Sequence, residues 1–184
     1  MSPHAIDLWI LQNLYAHRTF EATLVAIGAS ELGEWYVIGG LMLIAVILLL
    51  RLKQFAYAQG IVLSVASATV ATIFLKVLVG RARPPIEYWA YHETGNSFPS
   101  AHAALSLALF GFLAFMVWRS RLSQKLRLTL AIGCYALIVA IGFTRLYLGV
   151  HYFSDVVGGY LLGGVCLWVA MWATRMLEKK HSSA

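Results

Sequence analysis

An all-α, polytopic membrane helical bundle is the fold class this sequence predicts, and three observations carry the prediction. Of 184 residues, 60% are hydrophobic and only 12% charged, with a mean hydropathy of +0.75. A soluble domain of this size cannot hide that much apolar surface. The apolar residues fall into runs near the length of about 20 that crosses a bilayer. The cations lie in the connections between those runs. Backbone groups in hydrocarbon must bond within their own segment, so the spanning elements are helices. The chain is too apolar for disorder and too poor in Cys for a disulfide scaffold. The net charge of +6 reports topology rather than nucleic acid, because no basic face forms. Cys134 and Cys166 sit inside apolar runs, where a thiol behaves as a small buried hydrophobe. No basic stretch leads into an apolar one at the N-terminus, so no cleaved signal peptide is expected.

Taken in order, residues 1–33 are apolar but interrupted by Asp7, His17, Arg18 and Glu21. Leu8, Leu11, Leu14 and Tyr15, then Leu24, Ile27 and Gly28, recur at helical spacing. Two short helices at the interface or across the bundle are expected, with one tilted span as the alternative. Spans are expected at roughly 35–50, 55–79, 100–118, 128–143 and 154–176. Residues 34–184 thus form the helical bundle of a single domain covering 1–184. Trp35, Trp118 and Trp172 stand near span ends, as interfacial anchors do. Arg51, Lys53, Arg119, Arg121, Lys125, Arg127, Arg175, Lys179 and Lys180 all fall on one side of the membrane. The positive-inside rule makes that side cytoplasmic, with the C-terminus, and leaves the N-terminal segment outside. Gly159 and Gly163 form a small-xxx-small pair that admits a neighbouring helix.

Three polar clusters interrupt this pattern, all on the side opposite the basic connections. In Lys76-Val-Leu-Val-Gly-Arg-Ala-Arg-Pro-Pro85, Lys76 closes a helix and Arg83 follows a Gly turn, making an anion site at a span end. Arg81 fits no such pairing and is expected to contact lipid headgroups. In Asn96-Ser-Phe-Pro-Ser-Ala-His102, Ser100 is placed to cap a helix whose free N–H groups, starting at Ala101, face an anion. In Thr144-Arg-Leu-Tyr-Leu-Gly-Val-His-Tyr-Phe-Ser-Asp155, His151 and Asp155 are four apart, and one helical turn puts them on one face. A carboxylate that binds one imidazole nitrogen leaves the other free to attack, and Arg145 supplies a cation for the group attacked. Ser154 is expected to cap the last helix. Each cluster has a bland alternative: snorkelling cations, a plain cap beside an interfacial His, a buried His–Asp pair. Three such accidents on one face are less economical than one site. Tyr88, Trp89, Tyr91 and His92 lie in the loop between the first two clusters, either covering the site or forming an aromatic belt.

Lys-x6-Arg-Pro, Pro-Ser-x-His and Arg-x5-His-x3-Asp, from Lys76 to Asp155, resemble the three-part signature of the type-2 phosphatidic acid phosphatase superfamily. Two positions depart from the usual pattern: Ala101 replaces a Gly, and Thr144 precedes Arg145 where a Ser is usual. Neither removes a reacting group. The resemblance implies a displacement that uses no metal and no cofactor. His151 would be the nucleophile, giving a phosphohistidine, Asp155 its orienting partner, and His102 the acid and then the base. Lys76, Arg83, Ser100, Ala101 and Arg145 would bind the phosphoryl oxygens. The expected partners are the bilayer and a lipid phosphate: undecaprenyl pyrophosphate, phosphatidylglycerol phosphate or phosphatidic acid. The expected location is a bacterial inner membrane, with the site on the extracytoplasmic face. A lipid phosphotransferase, a haloperoxidase and an anion-binding transporter or scaffold are the rival readings.

Overall fold

The computed structural model of the chain describes residues 3–182, and within them it is helical with no strand. Seven helices follow one another: α1 Pro3–Ala16, α2 Phe20–Glu31, α3 Trp35–Arg51, α4 Phe55–Val79, α5 Ala101–Arg119, α6 Gln124–Tyr147 and α7 Phe153–Ser182. One short 3₁₀ turn, Ile86–Tyr88, lies in the long loop between α4 and α5. The two short helices expected within 1–33 are α1 and α2.

α4, α5, α6 and α7 each have the length and apolarity to cross a membrane. α3 has 17 residues, about 26 Å of helix, and is short for the task alone. It meets α2 at a bend of 44°, and the pair together has the length and composition of one broken span. The fourth apolar run, expected at 128–143, is longer as a helix in both directions. Ser123 caps α6 by accepting from the N–H of Leu126 at 3.4 Å, so Lys125 and Arg127 ride on its first turn. At the other end the helix runs through Thr144 and Arg145 to Tyr147, so Arg145 belongs to a helix rather than to the connection. Apolarity marks where hydrocarbon lies, whereas caps decide where a helix stops.

α5 is the axis of the bundle. Its span is 61% buried, against 22–28% for α4, α6 and α7, which pack around it. Ala103, Ala104, Ala108, Leu109 and Phe112 have no exposed surface, and Ile38, Ile61, Val65, Ile141 and Ala170 close on them from α3, α4, α6 and α7. The outer faces carry exposed Val70, Phe74, Val139, Leu161 and Trp168, as lipid contact requires. Between apolar helices in lipid, close packing rather than water exclusion drives association. The α5–α7 contact shows it: a Cβ at Gly163 would fall inside contact distance of the Ala104 carbonyl, and one at Gly159 inside that of Ser100. The helix admitted by the Gly159–Gly163 pair is therefore α5.

The connections sort the polar residues to the two ends. Lys53, Arg119, Arg175 and Glu178 surround a cavity of about 670 Å³ at one end, where Arg119 Nη2 pairs with Glu178 Oε2 at 3.0 Å. The Lys180 side chain lies outside the described residues. The C-terminal ends of α4 and α6 and the N-terminal ends of α5 and α7 form the other end. α1 packs there against α6 and α7.

Gly163→Val forces a branched side chain against backbone and is expected to cost about 1–3 kcal/mol of stability. A Cβ at Gly164 meets only Leu107 at 3.7 Å, so Gly164→Ala is expected to be neutral or stabilising by up to about 1 kcal/mol. Thermal unfolding of the two variants in detergent checks the contrast.

Candidate active site

Gly80 ends α4 in the left-handed conformation, with its N–H on the Lys76 carbonyl, which leaves Lys76 in the last turn. The Lys76 ammonium turns back into the loop, donating to Asn96 O at 2.5 Å, while Asn96 Nδ2 donates to Lys76 O at 2.8 Å. Arg83 is held by the same loop. It donates to Gly95 O at 3.0 Å, Thr94 O at 2.9 Å and Val150 O at 2.9 Å. Ser100 caps α5, accepting from Ala103 N at 3.5 Å, and its own N–H bonds the Asp155 carbonyl at 3.0 Å. Gly149, at φ +73°, turns the chain beneath Tyr88 and sends it to His151. A side chain there would be strained in that conformation and would strike the Tyr88 carbonyl.

These segments meet at one cavity of about 170 Å³, lined by Lys76, Arg83, Glu93, Ala101, His102, Arg145 and His151, with Gly33, Glu34, Trp35, Thr94 and Leu105 completing the wall. Both imidazoles face the same space. Ser100 and Asp155 are fully buried behind it, and the Ser100 hydroxyl serves as a cap rather than lining the cavity. Arg145 has no exposed surface. It donates to Ser30 Oγ at 2.7 Å and pairs closely with the Tyr91 hydroxyl and the Glu93 carboxylate. Glu93 also approaches Arg83, at 3.7 Å. Burial alone raises a carboxyl pKa, but Arg145 and Arg83 together hold Glu93 below its usual value.

His151 Nδ1 lies 3.5 Å from Asp155 Oδ2 and 3.4 Å from Ser97 Oγ. The Ser97 hydroxyl donates to Asp155 Oδ2 at 2.5 Å, so its oxygen is free to accept from Nδ1–H. With the proton on Nδ1, Nε2 keeps its lone pair and receives an Arg83 N–H at 3.2 Å. Burial pushes the His151 pKa from about 6.5 down to about 3; the bond to Asp155 opposes this, and the charges of Arg145 and Arg83 add to it. The imidazole is therefore neutral at physiological pH, as a nucleophilic nitrogen requires.

Several partners were not legible in the motifs. Ser97 lies within the second cluster, where no role was expected of it. Arg81, expected at lipid headgroups, instead bridges two carboxylates: Nη1 reaches Asp155 Oδ1 at 2.7 Å and Nη2 reaches Asp7 Oδ2 at 2.8 Å, with the Tyr152 ring beneath it at 4.4 Å. Asp7 is 2% exposed, and a carboxylate that deep demands a cation; the trace of this in the sequence is an Asp inside an apolar helical run. Ser154, expected as a helix cap, gives its N–H and hydroxyl to Asp7, at 2.9 and 2.6 Å. Asp155, in the first turn of α7, reaches back to the start of the helix and accepts from Tyr152 N at 2.8 Å. Of the three loop aromatics and the His considered as a cover for the site, Tyr91 reaches Arg145. Trp89 packs with Leu148 and Val150, and its indole N–H bonds Pro84 O at 2.8 Å.

Residues 57–179 match the sequence profile of the PAP2 superfamily. The chain is 34% identical to the lipid A 4'-phosphatase of Bacteroides thetaiotaomicron over 156 residues, 76% of this chain and 66% of that protein. It is also 34% identical over 128 residues to YbjG of Escherichia coli, named provisionally as an undecaprenyl-diphosphatase, over 61% of this chain and 60% of that protein. The chain thus spans less than two thirds of the length of these relatives. Its fold is similar to the crystal structure of a transmembrane PAP2-type phosphatidylglycerolphosphate phosphatase from Bacillus subtilis. There the TM-score is 0.84 at 24% identity, covering 96% of this chain and 86% of that one.

Because the folded-state pKa of His151 lies below its unfolded value, the neutral imidazole contributes stability that is complete above about pH 6.5 and is lost as the pH falls toward 3. Between pH 7 and pH 5 the wild type is expected to lose about 2 kcal/mol more than His151→Gln, which has nothing to titrate. Denaturation midpoints of both proteins across that range in detergent measure the difference.

Proposed function

From a chain that belongs to the PAP2 superfamily, we propose an integral membrane lipid phosphatase that works through a phosphohistidine, with a phosphate or diphosphate carried on an amphiphile as substrate. The observation that carries this reading is the single cavity shared by Lys76, Arg83, Arg145, His102 and His151, residues drawn from the ends of α4, α5 and α6 and the turn before α7. Three fixed cations facing one small space stabilise the charge of a five-coordinate phosphoryl transition state, the main task in phosphoryl transfer. The N–H groups of Ala101 and His102, at the start of α5, add the favourable end of a helix dipole, and Ser100 sets that start.

In the first step, the Nε2 lone pair of His151 forms a bond to phosphorus as the bond to the leaving oxygen breaks. A proton passes from His102 to that oxygen. In the second step, water attacks the phosphohistidine, His102 takes its proton, and the N–P bond breaks to release phosphate. Asp155, with Ser97, holds the proton of His151 on Nδ1 and stabilises the positive charge that develops on the ring. The side-chain cations Lys76, Arg83 and Arg145 supply the positive charge the proposed reaction needs, so it calls for no metal or cofactor.

A lipid substrate is supported by the ground next to the cavity. An apolar groove of about 260 Å³ between α3 and α4, lined by Ile38, Met42, Val65 and Thr69, shares Trp35 and Leu105 with the catalytic cavity. A chain lying in that groove enters sideways from the bilayer. The gathering of Lys53, Arg119 and Arg175 at the opposite end supports a cytoplasmic C-terminus and an extracytoplasmic site. In a bacterial host this is the inner membrane, and outward orientation favours a polyprenyl diphosphate among the candidate lipids.

Purified protein in detergent with excess chelator is expected to release phosphate from a panel of lipid phosphates and diphosphates. His151→Ala is expected to reduce turnover by more than about a thousandfold. With a nitrophenyl phosphate, whose leaving group departs without a proton, His102→Ala is expected to accumulate an acid-labile phosphoprotein, because its second step lacks a base. Near-normal turnover by His151→Ala, or abolition by chelator alone, overturns the mechanism.

A further inference from the structure

The general acid assigned to His102 has no carboxylate in the signature motifs, whereas the nucleophile has Asp155. One lies beside it from elsewhere. Glu34, in the corner between α2 and α3, places Oε1 3.2 Å from His102 Nε2. Arg145 Nη1 is 3.3 Å from the same nitrogen, but its two hydrogens are taken by Ser30 Oγ and the Tyr91 hydroxyl. The remaining partner for Nε2 is the Glu34 carboxylate, so Nε2 carries a proton and donates it there. Nδ1 is left as the nitrogen that exchanges a proton with substrate and water.

The corner is shaped for this approach. Gly33 lies against the imidazole: a Cβ there would stand 2.8 Å from His102 Cδ2 and would also crowd Ile141. Ser30, one turn earlier, accepts from Arg145, so the same corner touches two groups of the site. Glu34 is the N-cap residue of α3 by backbone position, yet its side chain makes no capping bond and is turned to His102 instead. The corner also lies outside residues 57–179, the region that matches the family profile.

We infer that Glu34 is a positioning residue for the acid–base step, fixing the tautomer of His102 and stabilising its imidazolium, so that each of the two histidines works with its own carboxylate. This rests on the phosphatase reading above. Its signature is a dependence on the leaving group. An alkoxide needs a proton to depart, whereas a nitrophenolate does not, so loss of the Glu34 carboxylate must penalise the first ester and spare the second.

The test compares kcat/KM, which reports events up to departure of the leaving group, for wild type, Glu34→Gln and Glu34→Asp in detergent. The two substrates are a long-chain alkyl phosphate and an alkyl-substituted nitrophenyl phosphate. Glu34→Gln is expected to lose about 10- to 100-fold on the alkyl ester and less than about threefold on the nitrophenyl ester. Glu34→Asp, which keeps the charge, is expected to recover part of the loss. Equal losses on both esters, or none on either, overturn the role of Glu34 while leaving the phosphatase reading intact. A wild type that cleaves neither ester overturns the phosphatase reading, and the role of Glu34 with it.

Discussion

A guanidinium with no exposed surface sits where four segments of this chain meet, and it is the constraint the rest obeys. Arg145 leaves the last turn of α6 and reaches Ser30 from α2, Tyr91 and Glu93 from the long loop, and the neighbourhood of His102 on α5. Removing a charge from water costs several kcal/mol, repaid only when its hydrogen bonds are made. The Arg145 partners Ser30, Tyr91 and Glu93 all lie more than 50 residues earlier in the chain, so satisfying this one side chain fixes the α2–α3 corner and the loop relative to the end of α6.

The same logic governs the other side of the site. Asp155, also fully buried, collects Arg81, Ser97, the Tyr152 N–H and His151, and Arg81 passes the connection on to Asp7 in α1. The apolar bundle supplies a rigid wall, built on close α5–α7 packing, and the polar contacts are gathered at one end of it. Precision in such a site comes from helix ends held by packing, with charged groups tying the loops to them.

Much of this was visible in the sequence for a physical reason. Spans announce themselves by apolar length, and Lys76, Arg83, His102, Arg145, His151 and Asp155 stand out because charge is costly between such runs. The cavity that joins most of them follows from their common position at helix ends. What the sequence did not disclose were the pairings across distance: Asp7 with Arg81, Ser97 with Asp155, Glu93 with Arg145, Glu34 with His102. No periodicity links residues 52 to 74 positions apart, and an isolated Glu or Asp in a polar-looking segment reads as surface. The interruptions in 1–33 looked like reasons against a span; Asp7 and Arg18 are instead spent inside the protein, Asp7 on Arg81 and Ser154, Arg18 on the Tyr88 carbonyl.

The carboxylate of Glu93, resting between Arg145 and Arg83, offsets the mutual repulsion of the cations around the cavity. A nest of bare cations at a membrane edge would repel itself and would hold any stray anion it met. On the phosphatase reading, an anionic headgroup enters by exchanging with this internal counter-ion, as an ion does on an exchange resin.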